Sequence, residues 1–290
     1  MNRFTLAWGG RRLELGPRTL VMGILNVTPD SFSDGGRFDT FDRAVAHARQ
    51  MAAQGADILD IGGESTRPFS DPVPEALEME RTIPVIRRLA GEVSIPISID
   101  TAKASVAKAA LDAGASIIND ISALGADPKM GALAAEAGVP VVLMHMQGNP
   151  KTMQQAPSYR DVTREVIGFL ADAAARARAA GVDPSRIIVD PGIGFGKTVA
   201  HNLTLLKNLS AFEPLGLPLL VGTSRKAFIR KTLADAAGEP AHVDSPAVLT
   251  GTQATITAAV LGGAHIVRVH DVAEAVITVK LADAIKNAPD

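Results

Sequence analysis

The chain has 290 residues, with 29 basic and 31 acidic side chains and a formal net charge of −2. This balance gives no general attraction to nucleic acid or to an anionic membrane. No cysteine is present, which excludes disulfides and thiolate metal ligands and fits a reducing compartment. The sequence contains neither a signal-peptide core nor an apolar stretch of membrane-spanning length, so we expect a cytoplasmic protein.

The first predicted element is a β-hairpin near the N-terminus. Two short β-like segments, FTLAW and RRLEL, flank the pair Gly9 and Gly10, which favours a tight turn. We expect residues 1–18 to form this hairpin. It should close the bottom of the barrel that the remaining residues, 19–290, predict.

Eight short runs rich in Val, Ile and Leu recur along the rest of the chain. Apolar runs of this kind without alternation are typical of strands buried on both faces, as in a parallel sheet. Eight strand–helix units in about this length predict a single α/β domain, a (β/α)8 TIM barrel with an outer ring of helices. The runs are VMGILNVT (21–28), DILDIGGEST (57–66), IPISIDT (95–101), SIINDIS (116–122), VPVVLMHM (139–146), RIIVDPG (186–192), LPLLVGTSRK (217–226) and AHIVRVHD (264–271).

Helical patterns fill most of the intervals between these runs, because apolar residues recur there at helical spacing. Pro84 lies inside the second helical segment and is expected to kink or split it. The predicted helices cover residues 41–56, 74–92, 103–115, 129–138, 162–181, 199–212, 251–264 and 272–286.

Polar or charged residues follow seven of the eight apolar runs at the point where each strand ends. In this type of barrel the catalytic groups lie at the carboxyl ends of the strands, so these side chains should share one mouth. We therefore expect a polar active site formed by Asn26, Glu64, Asp100, Asn119, Asp190, Lys226, Arg268 and His270.

Asp100 and Asp190 each close one of the apolar runs. Two carboxylates at the mouth can accept the paired N–H donors of an amidine-like ligand, such as a 2-aminopyrimidinone ring. Asn119 adds a donor and an acceptor beside them. The alternatives are helix N-caps for the two aspartates and a turn amide for Asn119.

Lys226, Arg268 and His270 end the seventh and eighth runs. Loops after these two strands commonly bind phosphate in this fold. Arg268 and His270 are two residues apart on a strand and should point the same way, which suits a phosphate or diphosphate. The alternative is a surface ion pair, for example with Asp271.

The segment DPGIGFGKT (190–198) does not match a phosphate-binding P-loop. That motif needs a glycine six residues before its lysine, and the position is occupied here by Pro191. We interpret the glycines of this segment as allowing the backbone to turn tightly around a ligand.

Other chemistries receive less support from the sequence. No cluster of His, Asp and Glu has the spacing of a transition-metal site, so any metal should be a hard ion such as Mg²⁺, held largely by substrate oxygens. The serines show no base-and-orienter arrangement, which argues against covalent serine catalysis. His47 and His201 lie on predicted helices and are interpreted as structural, whereas His145 could either face the mouth or be structural.

Two long loops, residues 29–38 and 65–74, follow the first two predicted barrel strands. A barrel needs only a few residues to pass from a strand into a helix. Long loops at the carboxyl ends of strands are typical of lids or substrate clamps.

Eight segments of the chain together resemble the dihydropteroate synthase family. They occur in that family's order and span nearly the whole sequence, and the first two alone are long enough to be specific. The segments are MGILNVTPDSFSDGG (22–36), DIGGESTRP (60–68), SIDT (98–101), IINDIS (117–122), LMHMQGNPKTMQ (143–154), DPGIGFGK (190–197), VGTSRK (221–226) and GAHIVRVHD (263–271).

The resemblance implies a Mg²⁺-dependent TIM-barrel transferase of folate synthesis with small-molecule substrates and no nucleic-acid or membrane partner. The implied reaction joins (7,8-dihydropterin-6-yl)methyl diphosphate to 4-aminobenzoate and releases diphosphate and 7,8-dihydropteroate. Sulfonamides would compete for the aminobenzoate site. A homodimer is also expected from the family, with the last two helices of the barrel as its interface.

The resemblance assigns roles to the matching residues. Those that match the pterin-holding residues are Asp100, Asn119, Asp190 and Lys226. Those that match residues reaching the diphosphate are Thr66, Arg268 and His270, with Val269 between the last two. The expected catalytic residues are Lys226, Asp100, Arg268 and His270.

Three further matches concern the metal and the two loops. Asn26 matches the asparagine associated with Mg²⁺ in the family. Phe32 on the first loop, with Arg67 and Pro68 on the second, match residues that close over the site and form the aminobenzoate pocket.

Two positions depart from the family's usual pattern. Phe69 follows STRP where the family usually has glycine, and Ala227 follows SRK where many members carry serine. Both departures concern the binding of aminobenzoate and sulfonamides rather than the type of reaction.

Two other functions remain as alternatives. A methyltetrahydrofolate methyltransferase would share the pterin-binding acids but would lack the segment NVTPDSFSDGG and the paired SRK and RVH, which are intact here. A catalytically silent paralogue that binds pterin or a partner protein would have lost the diphosphate cations or the first loop, and neither is lost.

Overall fold

Eight parallel strands form a closed barrel in the computed structural model, which describes residues 2–28, 37–65 and 70–289. The strand order is β8-β7-β6-β5-β4-β3-β10-β9, and a parallel bridge between Val189 and Leu219 joins the two ends of this order. The predicted (β/α)8 fold is therefore confirmed. The barrel strands are β3 (Leu20–Asn26), β4 (Ile58–Gly62), β5 (Ile97–Asp100), β6 (Ile117–Asp120), β7 (Val141–Met144), β8 (Ile187–Asp190), β9 (Leu220–Val221) and β10 (Ile266–Val269).

The barrel strands are buried on both faces, as the apolar runs predict. Every residue of β4, β5, β6, β7 and β8 is buried. The strand register places Asn26 beside Gly62, Gly62 beside Asp100 and Asp100 beside Asn119. Polar strand ends far apart in sequence therefore stand in one row at the mouth.

The N-terminal hairpin consists of β1 (Phe4–Trp8) and β2 (Arg11–Leu15), paired antiparallel around the Gly9–Gly10 turn. It packs against segments that lead into the barrel strands. Arg186, just before β8, donates to the backbone oxygen of Ala7 at 3.3 Å. Arg11 donates to the backbone oxygen of Ser94 at 3.0 Å, in the segment before β5. The hairpin thus covers the amino ends of the strands, opposite the mouth, as predicted.

Nine α-helices surround the barrel within the described part of the chain. They are α1 (Arg37–Ala53), α2 (Glu75–Ala90), α3 (Ala104–Asp112), α4 (Met130–Ala137), α5 (Val162–Ala179), α6 (Val199–Lys207), α7 (Ala227–Thr232), α8 (Pro246–Leu261) and α9 (Val272–Lys286). No helix among these residues is both long and apolar enough to cross a membrane.

Several helix boundaries differ from the prediction. α6 ends at Lys207 and a 3₁₀-helix over Leu209–Leu215 follows it, so the single helix predicted over 199–212 is wrong. Pro214 lacks the N–H that a continuing α-helix needs. α8 begins at Pro246, where the side chain of Ser245 accepts from the backbone N–H of Val248. α7 was not predicted, because its six residues are too short to show a helical period.

α2 runs through Pro84 as one helix, so of the predicted kink or split the split does not occur. The proline removes one hydrogen bond from the helix. A buried face that includes Val85, Ile86 and Leu89 packs against the barrel and maintains the helical conformation.

α1 begins at Arg37, inside the segment predicted as the first loop.

Candidate active site

One arginine links the acidic side chains of two neighbouring strands, β4 and β5, at the barrel mouth. Arg268 of β10 donates from Nε to Oδ2 of Asp60 at 2.6 Å and from Nη2 to Oδ2 of Asp100 at 2.7 Å. Asn119 of β6 donates from Nδ2 to the same oxygen of Asp60 at 2.9 Å. Because both ion pairs are charge-assisted and little exposed, they hold these side chains in one arrangement.

Two carboxylate oxygens in this cluster remain available. Asp60 Oδ1 and Asp100 Oδ1 are buried and have no hydrogen-bond partner among the described residues. Buried oxygens of this kind are normally satisfied, so these two leave acceptor capacity that the cluster's own side chains do not use. Burial raises the pKa of Asp100 to about 7, although the nearby Arg268 opposes the shift.

A second charged group is formed by Asp190 at the end of β8 and Lys226, the N-cap of α7. Asp190 is 6% exposed, and its Oδ1 accepts from the backbone N–H of Gly192 at 2.7 Å. Lys226 donates to the backbone oxygen of Ile193, and its ammonium lies 4.7 Å from the ring centre of Phe195. Burial raises the pKa of Asp190 and lowers the pKa of Lys226 to about 8; the charge of each opposes the shift of the other.

The turn over residues 191–196, called here the β8 turn, lies beside these groups. Gly192, Gly194 and Gly196 have φ values of +65°, +87° and +61°, a region that L side chains rarely adopt. The interpretation of these glycines as a tight backbone turn is confirmed.

We expect the substitutions Gly192→Ala and Gly168→Ala to have opposite effects on stability. A Cβ on Gly192 would lie 1.9 Å from the backbone oxygen of His145, whereas one on Gly168 of α5 would meet nothing within 4 Å. Left-handed strain and this clash should destabilise Gly192→Ala by about 2 kcal/mol or more. Gly168→Ala should gain about 0.5–1 kcal/mol, since alanine favours a helix.

Urea unfolding of both variants measures this difference directly. Equal free energies of unfolding for the two would contradict the conformation described for the β8 turn.

His270 follows β10 and is held by Ser224. Ser224 Oγ lies 3.1 Å from Nδ1 of His270 and also accepts from its backbone N–H at 3.2 Å. Ser224, which the sequence analysis did not select, therefore orients the imidazole. Asp271 pairs with Arg225 at 3.0 Å rather than with Arg268, so the predicted alternative of an Arg268–Asp271 pair is wrong.

Glu64 lies beside α2 and α3 at the edge of the mouth. Lys103 donates to Glu64 and, at 2.5 Å, to the fully buried Glu78 of α2. The structure thus gives Glu64 a structural partner that the sequence did not indicate. The second loop starts directly after it.

The two aspartates are not helix N-caps. The N-cap of α3 is Lys103 and that of α6 is Thr198, so neither Asp100 nor Asp190 fills the alternative role. His145 follows β7 at the mouth, where its backbone N–H donates to the backbone oxygen of Asp190 at 2.9 Å, but its ring packs edge-on against Phe169 of α5 at 4.8 Å.

The remaining predicted residues fall into three groups. Asn26 ends β3 at the mouth, beside Gly62. The side chain of Val269 is 1% exposed and packs in the core, so only its backbone could reach a ligand. Phe32, Thr66, Arg67, Pro68 and Phe69 lie outside the described residues.

Asp60 and Lys197 are the main residues that the sequence analysis missed. Asp60 stands inside an apolar run, DILDIGG, where a fully buried carboxylate is unusual and was a usable signal. Lys197 was set aside with the rejected P-loop, yet it is 3% exposed.

A family model described as pterin binding enzyme matches residues 22–270. A dihydropteroate synthase of Synechocystis is 49% identical over 277 residues, which cover 96% of this chain and 93% of that protein. The chain belongs to the dihydropteroate synthase family.

Solved structures of this family superpose on the whole chain. The dihydropteroate synthase of Xanthomonas albilineans with 4-aminobenzoic acid has a TM-score of 0.89 and 44% identity, covering 99% of this chain and 100% of that one. The Yersinia pestis dihydropteroate synthase with a sulfonamide drug complex also has a TM-score of 0.89, with 43% identity and the same coverage. Both the fold and the family predicted from the sequence are thereby confirmed.

Proposed function

We propose that the chain is a dihydropteroate synthase, a transferase that joins (7,8-dihydropterin-6-yl)methyl diphosphate to 4-aminobenzoate. The products are 7,8-dihydropteroate and diphosphate. The observation that best supports this function is a pair of buried oxygens, on Asp60 and Asp100, without hydrogen-bond partners among the described residues. They lie at the barrel mouth of a chain that belongs to this family.

The pterin ring would bind between the two charged groups. Its 2-aminopyrimidinone edge presents adjacent N–H donors, and carboxylate oxygens accept such donors with charge assistance. Asp60, Asp100 and Asp190 supply the acceptors, while Asn119 and Lys226 supply donors for the ring's oxygen and nitrogen acceptors. Thr66 of the second loop is proposed to reach the diphosphate, together with Arg268 and His270.

The diphosphate would lie towards β10, where Arg268 and His270 carry the donors. Ser224 holds the imidazole of His270, so this ring is already oriented before a ligand binds. Arg268 forms ion pairs with the carboxylates of Asp60 and Asp100. Binding of the pterin to these carboxylates would weaken the ion pairs and leave Arg268 more able to bind the diphosphate. Phe32, Arg67 and Pro68 are proposed to form the aminobenzoate pocket, as the family resemblance implies.

The chemistry is an ionisation. The bond from C9 of the pterin to the diphosphate oxygen breaks, and electron release from the ring stabilises the resulting cation. The amine nitrogen then bonds to C9 and its ammonium proton is lost to water. Catalysis rests on positioning and on stabilising the leaving charge, so no strong base is required.

Mg²⁺ fits this site as an ion bound mainly by substrate and water. The amide oxygen of Asn26 is the kind of hard donor that Mg²⁺ accepts, and we propose that it holds the ion. No group of three or more His, Cys, Asp or Glu side chains suited to a metal occurs among the described residues. When bound, Mg²⁺ would offset the charge of the diphosphate.

The test is diphosphate release from the pterin diphosphate, measured with and without Mg²⁺ and with and without 4-aminobenzoate. Amine-dependent release together with dihydropteroate is the expected result, and a sulfonamide should compete with the amine. Tight pterin binding without any product would instead identify the catalytically silent paralogue. Methyl transfer from methyltetrahydrofolate would identify the other alternative.

We further propose that the protein acts in the cytoplasm as a homodimer, with no nucleic-acid or membrane partner. Ile277, Leu281 and Ile285 form an apolar stripe along α9, with 71%, 64% and 56% of their surfaces exposed. Leu261 at the end of α8 is 48% exposed, and α8 packs against α9. Contiguous apolar surface of this kind marks a site of association, and a second copy of the chain is the partner expected from the family.

Leu281→Glu should convert the dimer into a monomer, because it places a carboxylate in the stripe. The matched control is Ala132→Glu on the exposed face of α4, which adds the same charge away from α9. Sedimentation equilibrium at micromolar concentration measures the mass of each. An unchanged mass for Leu281→Glu, or a monomeric wild type, would contradict the proposed interface.

A further inference from the structure

Lys197 places an ammonium group beneath the β8 turn, in a cage of neutral acceptors. It donates to the backbone oxygens of Gly192 and Phe195 and to Nδ1 of His145, each at 2.9 Å. Burial lowers the pKa of Lys197 to about 7. Below that pH its ammonium has three N–H donors, which these three acceptors and the more distant backbone oxygen of His145, at 3.5 Å, share. Such complete pairing is what allows a lysine to be buried this deeply.

His145 is built into this cage as an acceptor. The ammonium form of Lys197 donates to Nδ1, which places the ring proton on Nε2 when Lys197 is charged. Burial, together with the charge of Lys197, lowers the pKa of His145 to about 3, so the ring stays neutral. The edge-on contact with Phe169 fixes its plane.

The turn that Lys197 holds also carries the contacts of Lys226. The backbone oxygen of Ile193 and the ring of Phe195 both contact the Lys226 ammonium. On its outer side the turn is held at Gly194, whose N–H donates to Asn202 at 2.6 Å and whose oxygen accepts from Gln154 at 2.7 Å. Any shift of the turn would therefore move Lys226.

We propose that Lys197 is a positioning residue of the pterin site, which fixes the β8 turn so that Lys226 is correctly placed. This inference rests on the proposed function, in which Lys226 and Asp190 hold the pterin. Three cations act on Asp190, namely Lys226 at the N-cap of α7, Arg268 on β10 and Lys197 under the turn. The three together oppose the effect of burial, which raises the pKa of Asp190.

A merely structural lysine would behave differently. Its loss would lower the stability of the fold and the fraction of active protein. The affinity of the remaining folded protein for the pterin, and the pH dependence of that affinity, would not change. These two quantities therefore decide between the two roles.

The main test is Lys197→Met, which keeps the length of the side chain and removes the ammonium. Isothermal titration calorimetry with (7,8-dihydropterin-6-yl)methyl diphosphate between pH 5 and 8 gives Kd for each protein. We expect Kd to rise about 10- to 100-fold, as for loss of one or two charge-assisted contacts. Without the Lys197 charge, Asp190 should take up its proton at a higher pH. The fall in pterin affinity at low pH, called here the acid limb, should therefore begin at a higher pH than in the wild type.

Two further variants distinguish the effect of the position of the β8 turn from the effects of the Lys197 charge and of fold stability. Gln154→Leu removes a support of the same turn without removing a charge, so it should raise Kd while leaving the acid limb in place. Asp283→Asn weakens contacts to Thr19 and Lys286 at the other end of the barrel. It should lower the unfolding temperature and change neither Kd nor the acid limb.

The absence of native cysteine allows a chemical rescue. In Lys197→Cys the only thiol can be alkylated in denaturant with 2-bromoethylamine, where sulfur displaces bromide and forms one C–S bond. The product carries an ammonium at nearly the lysine position after refolding. We expect the alkylated protein to regain tight pterin binding and the wild-type acid limb, while the unmodified variant does not.

Wild-type Kd and an unmoved acid limb in Lys197→Met would overturn the proposal, whatever the change in unfolding temperature. If Lys197→Met does not fold, failure of Gln154→Leu to raise Kd and failure of the alkylated protein to recover binding would overturn it equally. Absence of dihydropteroate formation by the wild type would refute the proposed function instead. The calorimetric comparison would still decide the role of Lys197.

Discussion

Lys226→Ala is expected to lower kcat/KM for the pterin diphosphate by about 100- to 1,000-fold, the range seen when one preorganised donor is removed from an active site. The Lys226 ammonium is held by the backbone oxygen of Ile193 and the ring of Phe195, so it is placed before a ligand arrives. It is also a cation that acts on Asp190, and its loss raises the cost of keeping that carboxylate ionised. Both effects weaken the hold on the pterin.

The matched control is Lys108→Ala, which removes an exposed lysine paired with Asp112 on α3. A surface pair of this kind contributes about 0–1 kcal/mol to stability, so turnover should be unchanged. Steady-state kinetics on both variants, with circular dichroism to verify the fold, complete the measurement. Near-normal turnover of a folded Lys226→Ala protein would show that the pterin site is assigned wrongly.

Asp190→Asn should weaken pterin binding and turnover by about 100-fold or more, since a hydrogen bond to a charged group contributes about 1.5–3 kcal/mol. Asparagine has nearly the same shape, and its oxygen can still accept from the backbone N–H of Gly192, so the β8 turn should persist. The carboxylate charge is lost, however, and an NH₂ donor replaces an acceptor that faces the N–H groups of the pterin. Lys226 and Lys197 also lose their nearby anion.

Asp183→Asn provides a closely matched comparison. Asp183 Oδ1 accepts from the backbone N–H of Ser185 at 2.9 Å, the same local motif that Asp190 forms with Gly192, but it lies at the opposite end of β8. Its pKa is lowered chiefly by this hydrogen bond, whereas burial raises the pKa of Asp190. We expect Asp183→Asn to keep wild-type kinetics. Equal kinetic effects of the two substitutions would mean that Asp190 acts only through its turn.

The order of the polar strand ends along the chain was enough to predict that they share a mouth. Asp100, Asn119 and Asp190 each close an apolar run, and parallel strands bring their carboxyl ends to one edge. The sequence could not show which of them interact. Asp60 is 208 residues from Arg268, and only the barrel register makes them partners at 2.6 Å.

Local sequence patterns also gave wrong or incomplete predictions where the deciding contact comes from a residue distant in the sequence. Pro84 predicts a kinked or split helix, yet α2 is not split, since burial of one of its faces keeps it continuous. The sequence around Lys197 shows only a lysine after a glycine-rich segment. One of the acceptors that surround its side chain is His145, which is 52 residues away in the sequence. In each case the tertiary contact outweighs the local preference.

By itself, the sequence determined the barrel, the N-terminal hairpin, the family and the polar mouth. These follow from the periodicity of apolar residues and from the motifs at the strand ends, which are properties of short segments. Only the tertiary structure decided the sharing of Arg268 by Asp60 and Asp100, the hold of Ser224 on His270 and the support of the β8 turn by Lys197. The physical reason is that charge pairing and desolvation depend on distances and burial across the barrel, which arise only when the strands have closed around one core.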